Sequence, residues 1–236
     1  MATLKPLEAY DMSRERGFLC RHDADAVELP ALLDPAVKAA MNLPHSIVTG
    51  RVRELLSRLP VIDLADFCKT ANEQQIRKAF VHYTFMVQSY VWGERDAPAS
   101  LPECLARPCW QLADALDSKP LLTYATYVLD NWAKIDADGP IDLSNVYMIQ
   151  PFLSGEDEAW FVLVHVAIEA RAGDMLATIP ELIAACEAND GAGVKVALQR
   201  LSDGWDAVNA IFDRIPERCD PYIYFNRVRP YIHGWK

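Results

Sequence analysis

No run of eighteen consecutive apolar residues occurs in this 236-residue chain, so no segment is long enough to cross a bilayer as a helix. The short motifs that announce common chemistries are missing too: there is no G-x-G-x-x-G, Walker A loop, H-E-x-x-H or G-x-S-x-G. Cysteine is sparse and scattered (Cys20, Cys68, Cys104, Cys109, Cys186, Cys219), with no C-x-x-C pair, which excludes a zinc site on local spacing. Four of the five histidines, His22, His45, His82 and His233, are equally dispersed. The opening "MATLKPLEAYDMSRERGFL" has no apolar core of a secretory signal, so the thiols are expected to be reduced and mostly buried in a cytoplasmic protein. Positive charge is short: 23 Lys and Arg against 33 Asp and Glu leave a net charge of −10. Such a surface repels phosphate backbones and anionic lipid, so neither nucleic acid nor membrane is expected as a partner.

Apolar residues are ample at 51% of the chain, enough for a sizeable core. The first 45 residues read as loops around the apolar patch "AVELPALLDP". "GRVRELLSRL" is amphipathic and is stopped by Pro60. In "ANEQQIRKAFVHYTFMVQSYVWG", Ile76, Phe80, Tyr83, Val87, Tyr90 and Val91 recur at three- and four-residue spacings, one stripe of a long helix that Gly93 is placed to end. "ERDAPASLPECLARP" reads as a proline-punctuated connection, and "PLLTYATYVLDNWAK" as a buried helix opened by Pro120. "LSNVYMIQPF" suits a strand or extended segment as well as a helix. "SGEDEAWFVLVHVAIEARAG" could be a buried strand by composition, but Ser154 with Asp157 three residues on, and acids in the first turn, indicate a helix start. Helices over about 174–188 and 191–214 follow. The expected class is mainly α, with an irregular first half and a helical second half as two domains, 1–150 and 151–236.

Two groups of residues could carry chemistry. His165 lies in "WFVLVHVAI", and on a helix it shares a face with Phe161 and Glu169. It is either a core histidine satisfied by a carbonyl or by Glu169, or a histidine directed into a ligand cavity. Arg227 and Arg229 stand among Tyr224, Phe225 and Tyr231. Surface arginine is the ordinary reading of each, but aromatics around one guanidinium also suit the carboxylate of an aromatic amino acid. Pro230 biases Arg229 away from helical geometry and suggests a bend.

"AYDMSRERGFL", "QSYVWG" at 88–93, "TYATYVLDNW" at 123–132, "WFVLVHVAIEA" at 160–170 and "FNRVRPYIHGW" at 225–235 resemble, in order and spacing, the N-terminal part of the indoleamine 2,3-dioxygenase family. The resemblance implies a small N-terminal domain followed by the first helices of a larger all-α domain that encloses haem b. It implies a cytoplasmic enzyme that uses dioxygen to cleave the indole 2,3 bond of L-tryptophan or a related indole, giving N-formylkynurenine. Carried over residue by residue, Tyr124, Phe161 and His165 would line the distal pocket, Tyr224 and Phe225 the aromatic wall, and Arg229 would pair with the substrate carboxylate. Histidine at 165 departs from the serine of many indoleamine members and is more similar to tryptophan 2,3-dioxygenase, which implies that it accepts the indole N–H. The proximal haem histidine of the family is expected beyond Lys236, on a missing C-terminal segment or a partner chain, and Trp235 and its neighbours are expected to be exposed without it. The competing expectation is a shortened, non-catalytic homologue acting as a helical binding module.

Overall fold

The computed structural model describes residues 5–234, so Trp235 lies outside the described residues. It is mainly α. Helices begin earlier than the loop-rich reading expected, with α1 (Asp34–Met41) and α2 (Leu43–Val48) before the amphipathic segment, which forms the short α3 (Val52–Leu56). Proline near the start of α1 and of α2 costs no hydrogen bond there. The short α4 (Ala65–Thr70) leads into α5 (Glu73–Trp92). Asn72 and Gln75 cap α5 reciprocally: the Gln75 N–H donates to Asn72 Oδ1 at 2.9 Å and the Asn72 N–H to Gln75 Oε1 at 3.3 Å. Gly93 follows α5 because a Cβ there would meet the Ser89 carbonyl oxygen at 2.3 Å. The proline-punctuated connection turns helical at α6 (Glu103–Ala115), which accommodates Pro108.

The expected helix after Pro120 is instead one π-helical turn, Ala125–Leu129, in which the Asp130 N–H reaches back to the Ala125 carbonyl. It passes directly into β1 (Trp132–Lys134), antiparallel to β2 (Val146–Met148) with Ala133 opposite Tyr147. Beyond the hairpin, α7 (Glu156–Glu187) and α8 (Gly191–Phe212) pack as a long antiparallel pair. The expected break near 174 is absent, and α7 runs unbroken through Pro180. Its start also differs: Gly155 is the N-cap, Ser154 is left-handed at φ 56°, and Ser154 makes no side-chain cap. Glu158, fully buried, accepts the Phe152 and Leu153 N–H groups instead, at 2.7 and 2.8 Å.

The main core is an apolar cluster on both sides of residue 150, and a smaller cluster joins Trp160 and Val164 of α7 to Cys219. At its centre Phe152 stacks between Phe85, at 4.3 Å, and Tyr231, at 5.1 Å. A buried polar knot lies beside it. Gln150 Nε2 donates to the Ala40 carbonyl at 2.9 Å, and its Oε1 accepts from His82 Nδ1 at 2.8 Å. Asn131 and Gln150 bond each other through their backbone and side chains at 2.7 and 2.9 Å. Buried hydrogen bonds of this kind fix the relative placement of the segments that carry them, although His82 Nε2 has no partner.

The N-terminal segment crosses α7 backbone to backbone. Gly17 has φ +57°, and a Cβ on it would stand 1.9 Å from the Glu169 carbonyl oxygen; one on Gly173 would stand 2.3 Å from that of Arg14. Only residues without a Cβ permit this approach. Arg14 then pairs with Asp174 at 3.2 Å and Glu181 at 3.4 Å.

Candidate functional site

Three elements meet at the candidate site: the π turn at 125–129, the first half of α7, and the segment after α8. That last segment is capped by Asp220, which accepts the Tyr222 and Ile223 N–H groups at 2.8 and 3.0 Å. It continues into a second π-helical turn, Tyr224–Val228, and a 3-10 turn, Arg229–Ile232. Single π turns recur at functional sites because they rotate a side chain out of the helical register. Of the residues named from the sequence, Tyr224 and Phe225 lie in the second π turn and Tyr124 immediately precedes the first. Asp157 anchors the segment by accepting the Asp220 N–H at 2.7 Å, and Gln88 Nε2 holds its far end at the Tyr231 and His233 carbonyls, 2.8 and 3.0 Å.

Phe161, His165, Tyr124 and Tyr224 come together. Tyr224 stacks on Phe161 with centroids 4.1 Å apart and planes at 27°. His165 lies one turn along α7, its ring 4.4 Å from that of Phe161 and edge-on to Tyr124 at 6.3 Å. Of the two partners open to the histidine, the structure uses the carbonyl: Nδ1 lies 2.7 Å from the Phe161 oxygen. A carbonyl only accepts, so Nδ1 carries the proton and Nε2 of the neutral ring is an acceptor. Glu169 is engaged elsewhere, accepting the Tyr124 hydroxyl at 2.8 Å. Burial, reinforced by Glu169, raises the Tyr124 phenol well above its ordinary range, so it stays a neutral donor.

Phe225 and Arg229 stand apart from this cluster. Phe225 is 61% exposed, and the Arg229 guanidinium lies 5.3 Å from its ring centroid. Arg229 is exposed, and no ion pair joins it to any described residue. The bend expected before Pro230 is absent, because Arg229 keeps helical angles of φ −55° and ψ −33°. Pro230 falls in the first turn of the following 3-10 segment, where its missing N–H is not needed.

Reading the sequence missed Tyr127. It is 5% exposed, and its hydroxyl lies toward that of Tyr224 without reaching hydrogen-bond geometry, so both oxygens are buried and unpaired. The repeat of tyrosine in "TYATY" was its only signal, and a regular buried helix absorbs that signal. An open groove of about 860 Å³ lies on the other side of Tyr124, between Phe18, Leu19, Arg77 and Glu169. It meets the aromatic cluster only at Tyr124 and Glu169. Among the described residues no group of three or more His, Cys, Asp or Glu side chains could hold a metal ion. No described helix is long and apolar enough to cross a membrane.

The sequence model of the indoleamine 2,3-dioxygenase family matches residues 6–236. Indoleamine 2,3-dioxygenase 1 of Mus musculus is 32% identical over 98% of this chain, and that of Rattus norvegicus 31% over 98%. The alignments take in 56% of each relative's length, so the chain spans little more than half of them. A myoglobin of Haliotis madaka is also similar, at 26% identity over 97% of this chain and 58% of its own length.

Proposed function

The chain belongs to the indoleamine 2,3-dioxygenase family, and from that premise we propose that it forms the substrate-binding front of a haem-dependent dioxygenase that cleaves the indole 2,3 bond of L-tryptophan to N-formylkynurenine. In this reading residues 1–150 are the small domain and 151–236 the first part of the helical domain. The observation that carries it is the Nδ1 bond of His165 to the Phe161 carbonyl. That bond leaves Nε2 as a proton acceptor beside a stacked pair of aromatic rings, which is what an indole N–H requires.

The residues present fit one side of a haem. Tyr124, Phe161 and His165 form a partly exposed, largely aromatic face that would lie against a flat macrocycle, while the resemblance assigns none of the five histidines as its axial ligand. Bound haem would supply the iron at which dioxygen is activated. The chain's own residues would do the rest. Phe161 and Tyr224 would hold the indole by burial and offset stacking, His165 would orient it through the N–H, and Arg229 would take the carboxylate as a bidentate pair. Arg229 is exposed in this chain, so its pairing is screened and worth about 1 kcal/mol, less than the several kcal/mol of a dry pocket.

The test is to reconstitute the native gene product that carries this chain with haem and titrate it with L-tryptophan and 1-methyltryptophan. We expect a Soret band that shifts on reduction and on binding CO, tighter binding of tryptophan, and loss of that preference in His165→Ala. Equal losses for both ligands would overturn the role of His165. A native gene product that folds yet takes up no haem would favour the second reading, a non-catalytic binding module.

A further inference from the structure

Glu158 is the one buried acid at the site with no role in the reading above. It is fully buried, and no cationic side chain among the described residues pairs with it. Its two oxygens instead accept the Phe152 and Leu153 N–H groups at 2.7 and 2.8 Å, and the Ser154 N–H also faces it. The left-handed Ser154 curls the backbone so that three successive N–H groups converge on the carboxylate, at the positive end of a 32-residue helix.

Among the described residues, the titratable groups that feel Glu158 from the packed elements are the phenols Tyr127 of the first π turn, Tyr224 of the second and Tyr231 of the turn beyond Arg229, with the buried Cys219 thiol acting on the first two. Two links therefore run from this carboxylate to the arginine-bearing segment. One is through the backbone of Phe152, whose ring stacks on Tyr231 at 5.1 Å. The other is through the unpaired hydroxyls of Tyr127 and Tyr224, the latter ring stacked on Phe161 at 4.1 Å. A charged carboxylate attracts the positive ends of the hydroxyl dipoles and a protonated one does not, so the unpaired hydroxyl pair feels a different field in the two states.

We propose that Glu158 is a positioning residue for segment 224–231, and that gain or loss of its proton shifts the Tyr224 and Tyr231 rings and, with them, the wall that faces the ligand. The role of that wall in holding tryptophan rests on the function proposed above; the coupling itself does not. Burial pushes Glu158 from its ordinary 4.5 up to about 7, against the pull of the backbone N–H groups, so the change falls near neutrality.

The experiment is an NMR titration of the ligand-free 236-residue chain across neutral pH, following the Glu158 carboxyl carbon and the Tyr224 and Tyr231 ring resonances. We expect one shared midpoint in the wild type and no ring transition in Glu158→Gln. Rings that stay still while Glu158 titrates, or that titrate unchanged in the variant, would overturn the proposal. Should Glu158→Gln fail to fold, the wild-type midpoints alone decide. A parallel titration with L-tryptophan below and above neutrality separates the two claims. Its complete failure to bind would remove the function reading while leaving the ring coupling to stand or fall on its own data.

Discussion

A single proton decides the behaviour of several residues. His82 donates through Nδ1 to Gln150, its Nε2 is buried without a partner, and burial lowers its pKa from 6.5. The unfolded chain therefore takes up this proton first as pH falls, and the native state loses stability below about pH 6.5. Urea unfolding at falling pH should show this loss, and His82→Gln should flatten it. Glu158 acts with the opposite sign. Its folded pKa of about 7 against 4.5 means that the native state holds a proton the unfolded chain has released, so stability falls as pH rises between those values. The whole shift is worth about 3 kcal/mol, and Glu158→Gln should remove that slope. For Arg229, exposed beside Phe225, Arg229→Ala should weaken tryptophan about fivefold at low salt and less at high salt, while tryptamine is unaffected. Calorimetric titration of the two ligands gives the comparison, and equal losses would refute carboxylate recognition.

At the level of elements, the legible features were those whose period is regular. The apolar stripe of α5 and the Gly93 that follows it were legible in the sequence, whereas its Asn72 cap and the Asp190 cap of α8, which accepts the Gly193 N–H at 3.0 Å, were not read there. What stayed hidden has physical reasons. The π turns break the 3.6-residue period on which helix reading depends, so "PLLTYATYVLDNWAK" passed for a helix and Tyr127 for its core. The break expected near 174 does not occur because packing on α8 carries α7 through Gly173 and Pro180. The acid that caps α7 was mistaken because Glu158 reaches past the N-cap to the loop before it. Tyr124, Phe161, His165, Tyr224 and Arg229 came from the resemblance; spacing alone offered only His165 and the arginine–aromatic cluster, and could not have foreseen that Phe225 turns outward. The glycine crossing is testable at this scale. Gly17→Ala must fit a Cβ 1.9 Å from a carbonyl at a left-handed position, and should cost at least about 2 kcal/mol. Thermal denaturation with a large fall in Tm is the expected result, and a neutral outcome would mean that the crossing is loose.

Across the whole molecule, one core joins the loop-rich front to the helical rear, with Phe85, Phe152 and Tyr231 stacked through its centre. Composition foretold that the chain could bury a sizeable core and periodicity its helical class, but which distant segments touch is a property of the chain's path. The crossing of the N-terminal segment over α7 has a consequence in time. Arg14 and Asp174 are 160 residues apart, and closing so long a loop costs entropy that no neighbouring contact returns early. During synthesis the first segment leaves the ribosome long before its seat on α7 exists. It must therefore wait, unseated, while α5 and its neighbours assemble. In pulse-labelled hydrogen exchange during refolding, amides 13–20 should become protected after those of α5. The glycine crossing would then act as a latch that closes last, reporting that the rear of the molecule has been built.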